Sequence, residues 1–277
     1  MKHSAVLAAC LLTLCLPGCN SLRTRMALKH GNELYNAEKY EEAVGEYQKI
    51  LAIEPNNWDA NYLTAASYMA LYHPGSQHPK DVEYSEKAIA AFKRCLEIGP
   101  PPDKVEQVRN FYLGLLTSAN KQADAAKFME ELLAKDPQNA SLTTQLANLY
   151  AKQGDFPNAL KYFERRAQLE PSNKEAWYTI GVVCWDRSYN GGMFISAEER
   201  AQVIDQGMNA LNKALAIDAD YFDALSYVNL LYREKSKLMV MLGKYQEAQE
   251  AYATADEYMK KALEARKKQQ AAPAKAG

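Results

Sequence analysis

Four histidines and five cysteines are the side chains of this 277-residue sequence best suited to acid–base, nucleophilic or metal chemistry. His3 sits at the extreme amino terminus and His30 stands alone. His73 and His78 bracket Pro74-Gly75-Ser76-Gln77 in a polar stretch. Two histidines five apart could supply part of a metal site, but no cysteine accompanies them, and a solvated loop is the simpler reading. Cys95 and Cys184 fall in apolar, helix-like surroundings, where a free thiol behaves as a small buried hydrophobe. The sequence has no phosphate-cradling glycine loop, no Gly-x-Ser-x-Gly and no His-Glu-x-x-His. The expectation is a protein that is not an enzyme, with no catalytic residues, no metal site and no cofactor. Cys10, Cys15 and Cys19 crowd the amino terminus, and Cys19 closes an apolar run.

Those few reactive groups must be held by something mostly helical. Forty-two Ala and 30 Leu stand against 18 Val plus Ile, favouring helix formers over the β-branched residues of strands. A net charge of −1 gives no basic excess for neutralising phosphates, so no nucleic acid partner is expected.

Met1 to Cys19 has a short polar start and an apolar run from Ala5 to Leu16, the pattern of a secretory signal and too short for a membrane span. Its end, Leu16-Pro17-Gly18-Cys19, resembles the lipobox of bacterial lipoproteins, with Pro17 departing from the usual pattern. The resemblance implies cleavage after Gly18, leaving residues 19–23 as a lipidated linker with fatty acyl chains such as palmitate on Cys19. Asn20, where some lipoproteins carry Asp, resembles the form passed to the outer membrane, facing the periplasm. Plain secretion, or a soluble periplasmic protein, is the alternative. Without residues 1–18 only Cys19, Cys95 and Cys184 remain, which is not a disulfide scaffold.

The rest of the chain repeats itself. Gly31-Asn32-Glu33-Leu34-Tyr35, Tyr40-Glu41-Glu42-Ala43, Tyr47 and Pro55-Asn56-Asn57 recur as Leu146-Ala147-Asn148-Leu149-Tyr150, Phe156, Ala159, Phe163 and Pro171-Ser172-Asn173. Tyr40, Ala43, Tyr47, Ile50 and Leu51 follow three- and four-residue steps, one stripe of an amphipathic helix. This pattern resembles the tetratricopeptide repeat, a pair of antiparallel helices with small residues at the crossing and Pro closing the second helix. The resemblance implies an all-α, right-handed solenoid of about six repeats, at 24–57, 58–102, 103–139, 140–173, 174–221 and 222–266. Ala65, Gly114 and Gly181 would be crossing residues, and repeats two and five would carry extra residues between their helices. The run from Phe222 to Lys235 resembles terminal repeats common in Acidobacteria. Residues 267–277 lack an apolar stripe and read as a disordered tail.

Carrying over the family's groove positions gives Asn32, Tyr35, Asn36, Tyr62, Met69, Thr144, Asn148, Lys152, Tyr178, Trp185, Asp186, Arg233 and Glu234. Of these, Asn32, Tyr35, Tyr62, Met69, Asn148, Tyr178, Trp185 and Arg233 are the stronger candidates, since Tyr, Trp and Arg dominate binding hot spots. Packing against the next repeat is the competing role for each aromatic. The connection holding Tyr189, Met193 and Phe194 is a second contact candidate, or else a plain spacer. The family's carboxylate clamp is nearly absent, with Leu28 and Leu63 where a basic residue and Asn belong. Recognition of a chaperone's carboxy terminus is therefore not expected. The resemblances imply a lipid-anchored scaffold binding envelope proteins or peptide segments in envelope assembly, pilotin-like or as an outer-membrane assembly factor. A cell-wall glycan or polysaccharide-machinery accessory using the aromatic groove is the alternative.

Overall fold

The computed structural model describes residues 16–271. Among these there are twelve α-helices and no strand: α1 (Leu16–Asn36), α2 (Tyr40–Ile53), α3 (Trp58–Leu71), α4 (Pro79–Ile98), α5 (Val105–Ser118), α6 (Gln122–Lys135), α7 (Ala140–Lys152), α8 (Phe156–Leu169), α9 (Lys174–Asn190), α10 (Ala197–Ile217), α11 (Phe222–Met241) and α12 (Tyr245–Ala271). Successive helices form six pairs, the all-α arrangement of tetratricopeptide repeats. No described helix is long and apolar enough to cross a membrane.

Local chemistry punctuates the repeats at fixed points. Three helices begin after the same four-residue turn, an acid, Pro, any residue and Asn. Asn57, Asn139 and Asn173 accept a hydrogen bond from a backbone N–H of the first helical turn, at 3.0, 2.9 and 3.0 Å. Each also donates through Nδ2 to the acid before the proline, Glu54, Asp136 or Glu170, at 2.8, 3.0 and 2.9 Å. One side chain thus caps the new helix and braces the turn out of the old one.

Four of the six turns within pairs are equally uniform. Glu38, Asn120, Gly154 and Gly243 all adopt left-handed φ angles of 60–74°. In each case the residue after them donates to a carbonyl five residues back, Lys39 to Leu34, Lys121 to Leu116, Asp155 to Tyr150 and Lys244 to Met239. This is the Schellman ending, which suits Gly154 and Gly243 best because an L side chain is strained at that φ.

The chain divides into two compact units, residues 1–128 and 129–277, with the boundary inside α6. In the first, Ala43, Tyr47, Ile50 and Ala60 form a core with Leu34, Tyr35 and Leu63 packed against it. Gly31 is there because a Cβ would collide with the Tyr47 ring. In the second, Ile204, Leu211, Ala214, Val228, Leu231 and Leu238 form the core. Gly181 lies against Leu211, and Gly207 against Cys184 and Leu231, so both mark close approaches of helices.

Four expectations change. Gly114 is not a crossing residue: it is exposed, with open space where a Cβ would sit. Counting back from the Asn120 turn puts Leu113 in that place, one position earlier. The tail does not begin at Lys267, because α12 continues to Ala271 with Ala265 buried and Lys268 Nζ 2.8 Å from Asp220. Residues 19–23 are not a linker but lie within α1, which begins at Leu16. The rest of the expected signal, residues 1–15, lies outside the described residues, as do 272–277. Finally, the extra residues of repeat five mostly lengthen its helices, so that Tyr189 and Asn190 end α9 and only 191–196 connect it to α10.

Candidate functional site

The aromatic groove candidates divide between the two units. In the first unit they pack. Tyr35 meets Tyr40 edge-on with ring centroids 5.1 Å apart, and Tyr62 stacks on Trp58 at 5.0 Å and contacts Phe92 edge-on. Asn32 is exposed, and its Oδ1 accepts a 2.9 Å hydrogen bond from the Tyr47 hydroxyl. Met69 is half-buried.

In the second unit Tyr178, Trp185, Tyr221 and Tyr227 also pack against the core, and there the rings line up in one row. Tyr178, Trp185 and Tyr189 share a face of α9, spaced by seven and four residues, and Tyr227 of α11 joins them with Tyr221 just before that helix. The order is Tyr221, Tyr178, Tyr227, Trp185, Tyr189, with neighbouring centroids 5.1–5.4 Å apart. Most contacts are tilted or edge-to-face, the geometry aromatic quadrupoles favour. A lysine lies over the ring at each end, Lys174 Nζ 4.4 Å from Tyr221 and Lys237 Nζ 5.1 Å from Tyr189. Burial raises the Tyr178 hydroxyl pKa well above its usual range and pushes Tyr221 up to about 12, so these rings stay neutral at any physiological pH.

Beside Trp185 and Tyr227 opens a cleft of about 440 Å³, lined also by Phe156, Val182, Asp186 and Asn190. Its volume falls in the range of small-ligand or single-side-chain pockets. Arg187 forms one wall, held by Glu199 through Nε at 3.0 Å and Nη2 at 2.6 Å, and lying 5.6 Å over the Phe156 ring. Asp186 accepts from Asn190 Nδ2 at 2.7 Å. The site therefore combines aromatic walls, a fixed guanidinium and an exposed carboxylate.

The connection after α9 projects from this region. Phe194 is 94% exposed and Tyr189 is exposed, while the side chain of Met193 lies outside the described residues. Buried Arg200 anchors the backbone from beneath, donating to the carbonyls of Ser188 and, at 2.6 Å, Gly192. Glu234 is buried beside it, 3.9 Å from Arg200 and 2.7 Å from Lys237.

Four of the groove candidates have their partners within the chain. Glu234 belongs to the anchor of the connection. Arg233 is tied to Asn229 at 3.3 Å and Asp256 at 3.0 Å, so its guanidinium packs the last helix pair. Tyr35 and Tyr62 are packing residues. Asn148, Lys152 and Asp186 are exposed, and Thr144 donates to the Ala140 carbonyl within its own helix. Reading by family positions missed Tyr221, Tyr227, Phe156 and Arg187. Tyr227 was visible as an aromatic five residues after Phe222, but it falls between the groove positions carried over for that helix.

The histidine pair resolves into loop chemistry. Asp81 accepts from Ser76 Oγ at 2.6 Å and pairs with His73 Nδ1 at 2.9 Å, while His78 caps α4 by accepting from the Lys80 amide. Among the described residues no three metal-binding side chains converge. Cys95 and Cys184 are free and buried, and burial pushes both thiols up to about 12.

Residues 28–75 and 116–181 each match the tetratricopeptide repeat family. Among solved structures, the chain is similar to a MamA protein, at 17% identity over 92% of this chain and 98% of that one with a TM-score of 0.36. It is also similar to YrrB, described as a TPR protein with an unusual peptide-binding site, at 19% identity over 72% and 88% with a TM-score of 0.38. The C-terminal part of a repeat-containing protein from Cytophaga hutchinsonii gives 14% identity over 86% and 84%, TM-score 0.43. The chain carries tetratricopeptide repeats in an all-α fold of helix pairs, an assignment resting on the repeat matches and the six pairs themselves. Such repeats are scaffolds for binding proteins and peptides.

Proposed function

We propose that this protein is a lipid-anchored periplasmic scaffold that captures a peptide segment of another envelope protein in the second unit, in envelope assembly. The observation that supports this most is the aromatic ladder together with the cleft that Trp185 and Tyr227 line. Rigid rings give large contact area at little entropic cost, and the cleft accepts one anchoring side chain. The lipid anchor rests on the Leu16–Cys19 motif, and the pilotin-like or assembly-factor role on that address together with the repeats.

Photo-crosslinking from positions 189 and 194 in intact envelopes, with identification of what is captured, tests the scaffold reading. Trp185→Ala should abolish capture while helical circular dichroism is unchanged; undiminished capture would sink the site. Cys19→Ser should release the protein from the membrane fraction, and unaltered fractionation would count against the anchor. The near-parallel stack of Trp185 on Tyr189, 18° between planes, favours a second reading, since such faces also stack on sugar rings. Binding to isolated cell-wall glycan without protein would select that reading.

A further inference from the structure

We infer that the outward face at the start of α1 docks on an anionic lipid surface, with Leu22 and Met26 entering its apolar margin and Arg23 and Arg25 pairing with headgroup phosphates. The inference rests on the lipid anchor at Cys19. This part of α1 has two unlike sides. Inward, Ala27 is buried and Leu28 and Leu34 pack against the core of Ala43, Tyr47 and Ile50, with Gly31 against the Tyr47 ring. Outward, Leu22 and Met26 are 60% and 64% exposed, and Arg23, Arg25, Lys29 and His30 are exposed around them. At 3.6 residues per turn Leu22 and Met26 stand within about 40° of each other, with Arg25 and Lys29 to one side and Arg23 and His30 to the other. Cys19 precedes Leu22 by three residues, on the same row of the helix. Thr24 donates to Glu54, just past the end of α2, at 3.1 Å, so the turns before it run beyond the helix pair.

Charge and position select the partner. Residues 16–32 carry Arg23, Arg25, Lys29 and His30 and no acid, a local excess in a chain of net charge −1. Glu33 is shared by Lys29 and His30, at 3.9 and 3.7 Å. Arg23 and Arg25 have no ion pair or hydrogen bond among the described residues, so their charge is free to meet an outside anion. Exposed apolar side chains rimmed by basic ones are the pattern of a helix lying in a bilayer interface. An acyl chain on Cys19 puts the bilayer within one helical turn, about 5 Å, of Leu22. Because residues 19–23 belong to α1, the anchor continues as helix into the first repeat, and the face that follows it meets the same surface. One acyl chain alone holds a protein only marginally, and a basic patch beside it supplies the second signal that stable attachment needs.

The test uses the full chain in vesicles with brominated acyl chains, made of phosphatidylcholine alone or mixed with phosphatidylglycerol. Met26→Trp adds tryptophan emission at the face, and bromine quenches it only on close approach. Quenching about threefold stronger on the anionic vesicles than on the neutral ones is expected. Arg23→Glu with Arg25→Glu should bring it back to the neutral level, at unchanged helical circular dichroism and with the protein still floating with the vesicles. Equal quenching on both vesicles, or quenching indifferent to the charge reversal, would overturn the inference. Cys19→Ser separates it from the anchor. If flotation and quenching on anionic vesicles both survive that change, the acyl anchor falls and the docked face stands. If the unaltered chain floats while position 26 stays unquenched, the face meets water or a protein instead, and the inference falls while the anchor stands.

Discussion

In the connection of residues 72–78, buried Tyr72 at its start donates to the Ser118 carbonyl at 2.8 Å, but from there on the side-chain contacts are local: Ser76 and His73 reach only to Asp81 at the start of the next helix, and His78 caps its own helix. In residues 191–196 the connection is held from outside itself, by Arg200 on the carbonyls of Ser188 and Gly192 and by Glu234 of α11 beneath. The first loop, past Tyr72, is a mostly solvated closure held by Asp81 of its own following helix. The second is fastened to a buried charge pair, and it presents Phe194 almost fully to solvent. A backbone so firmly anchored under so exposed an aromatic is what a contact surface requires, because binding then costs little ordering.

This contrast can be broken most forcefully at Arg200. Arg200→Ala removes two backbone hydrogen bonds and leaves Glu234 buried with only Lys237, a loss of about 3 kcal/mol by urea unfolding. The same variant should expose Cys184, on α9, to thiol labelling in the folded state, whereas Cys95 stays protected; equal labelling of both thiols would mean that the damage is not local. Arg187→Ala should cost about 1 kcal/mol, since its pair with Glu199 is half-exposed, while widening the cleft and weakening capture at position 189. Asp81 is the smallest effect. Its folded pKa is lowered to about 2 from 3.8, by hydrogen bonds from Ser76 and then His73. The stability it contributes is therefore fully present above pH 3.8 and lost as pH falls through about 2. Amide exchange at His73 should accelerate over that window, and Asp81→Asn should remove the dependence without altering Cys95 labelling.

Much of the architecture could be read from the chain because its signals are local. Turns such as Pro55-Asn56-Asn57 and stripes such as Tyr40, Ala43 and Tyr47 act within a few residues. The site was half legible for the same reason. Tyr178 and Trp185 sit on one helix at heptad spacing, but Tyr221 and Tyr227 reach them from the next pair, at places the family's groove positions do not include. Gly114 misled likewise, since a glycine near the crossing outweighed the turn at Asn120 that places Leu113 there. Arg200 gave no sign of its role: its partners lie 8, 12 and 34 residues away, across an insertion whose length no repeat pattern sets. The outward face of α1 was hidden because residues 16–23 read as the end of a signal and a linker rather than as helix.

The acid-Pro-x-Asn turn has an implication for how such a chain grows. Its capping and bracing hydrogen bonds close within about six residues, while Thr24, Arg94 and Arg165 reach the turns from the bodies of the flanking pairs. A repeat bounded by two such turns is therefore a self-punctuated unit. A gene duplication that copies the segment from Ala140 to Asn173 would carry the cap of whatever follows, Asn173, and take its own opening cap from the Asn that ends the copy before it, so each added repeat arrives with its helix start already specified.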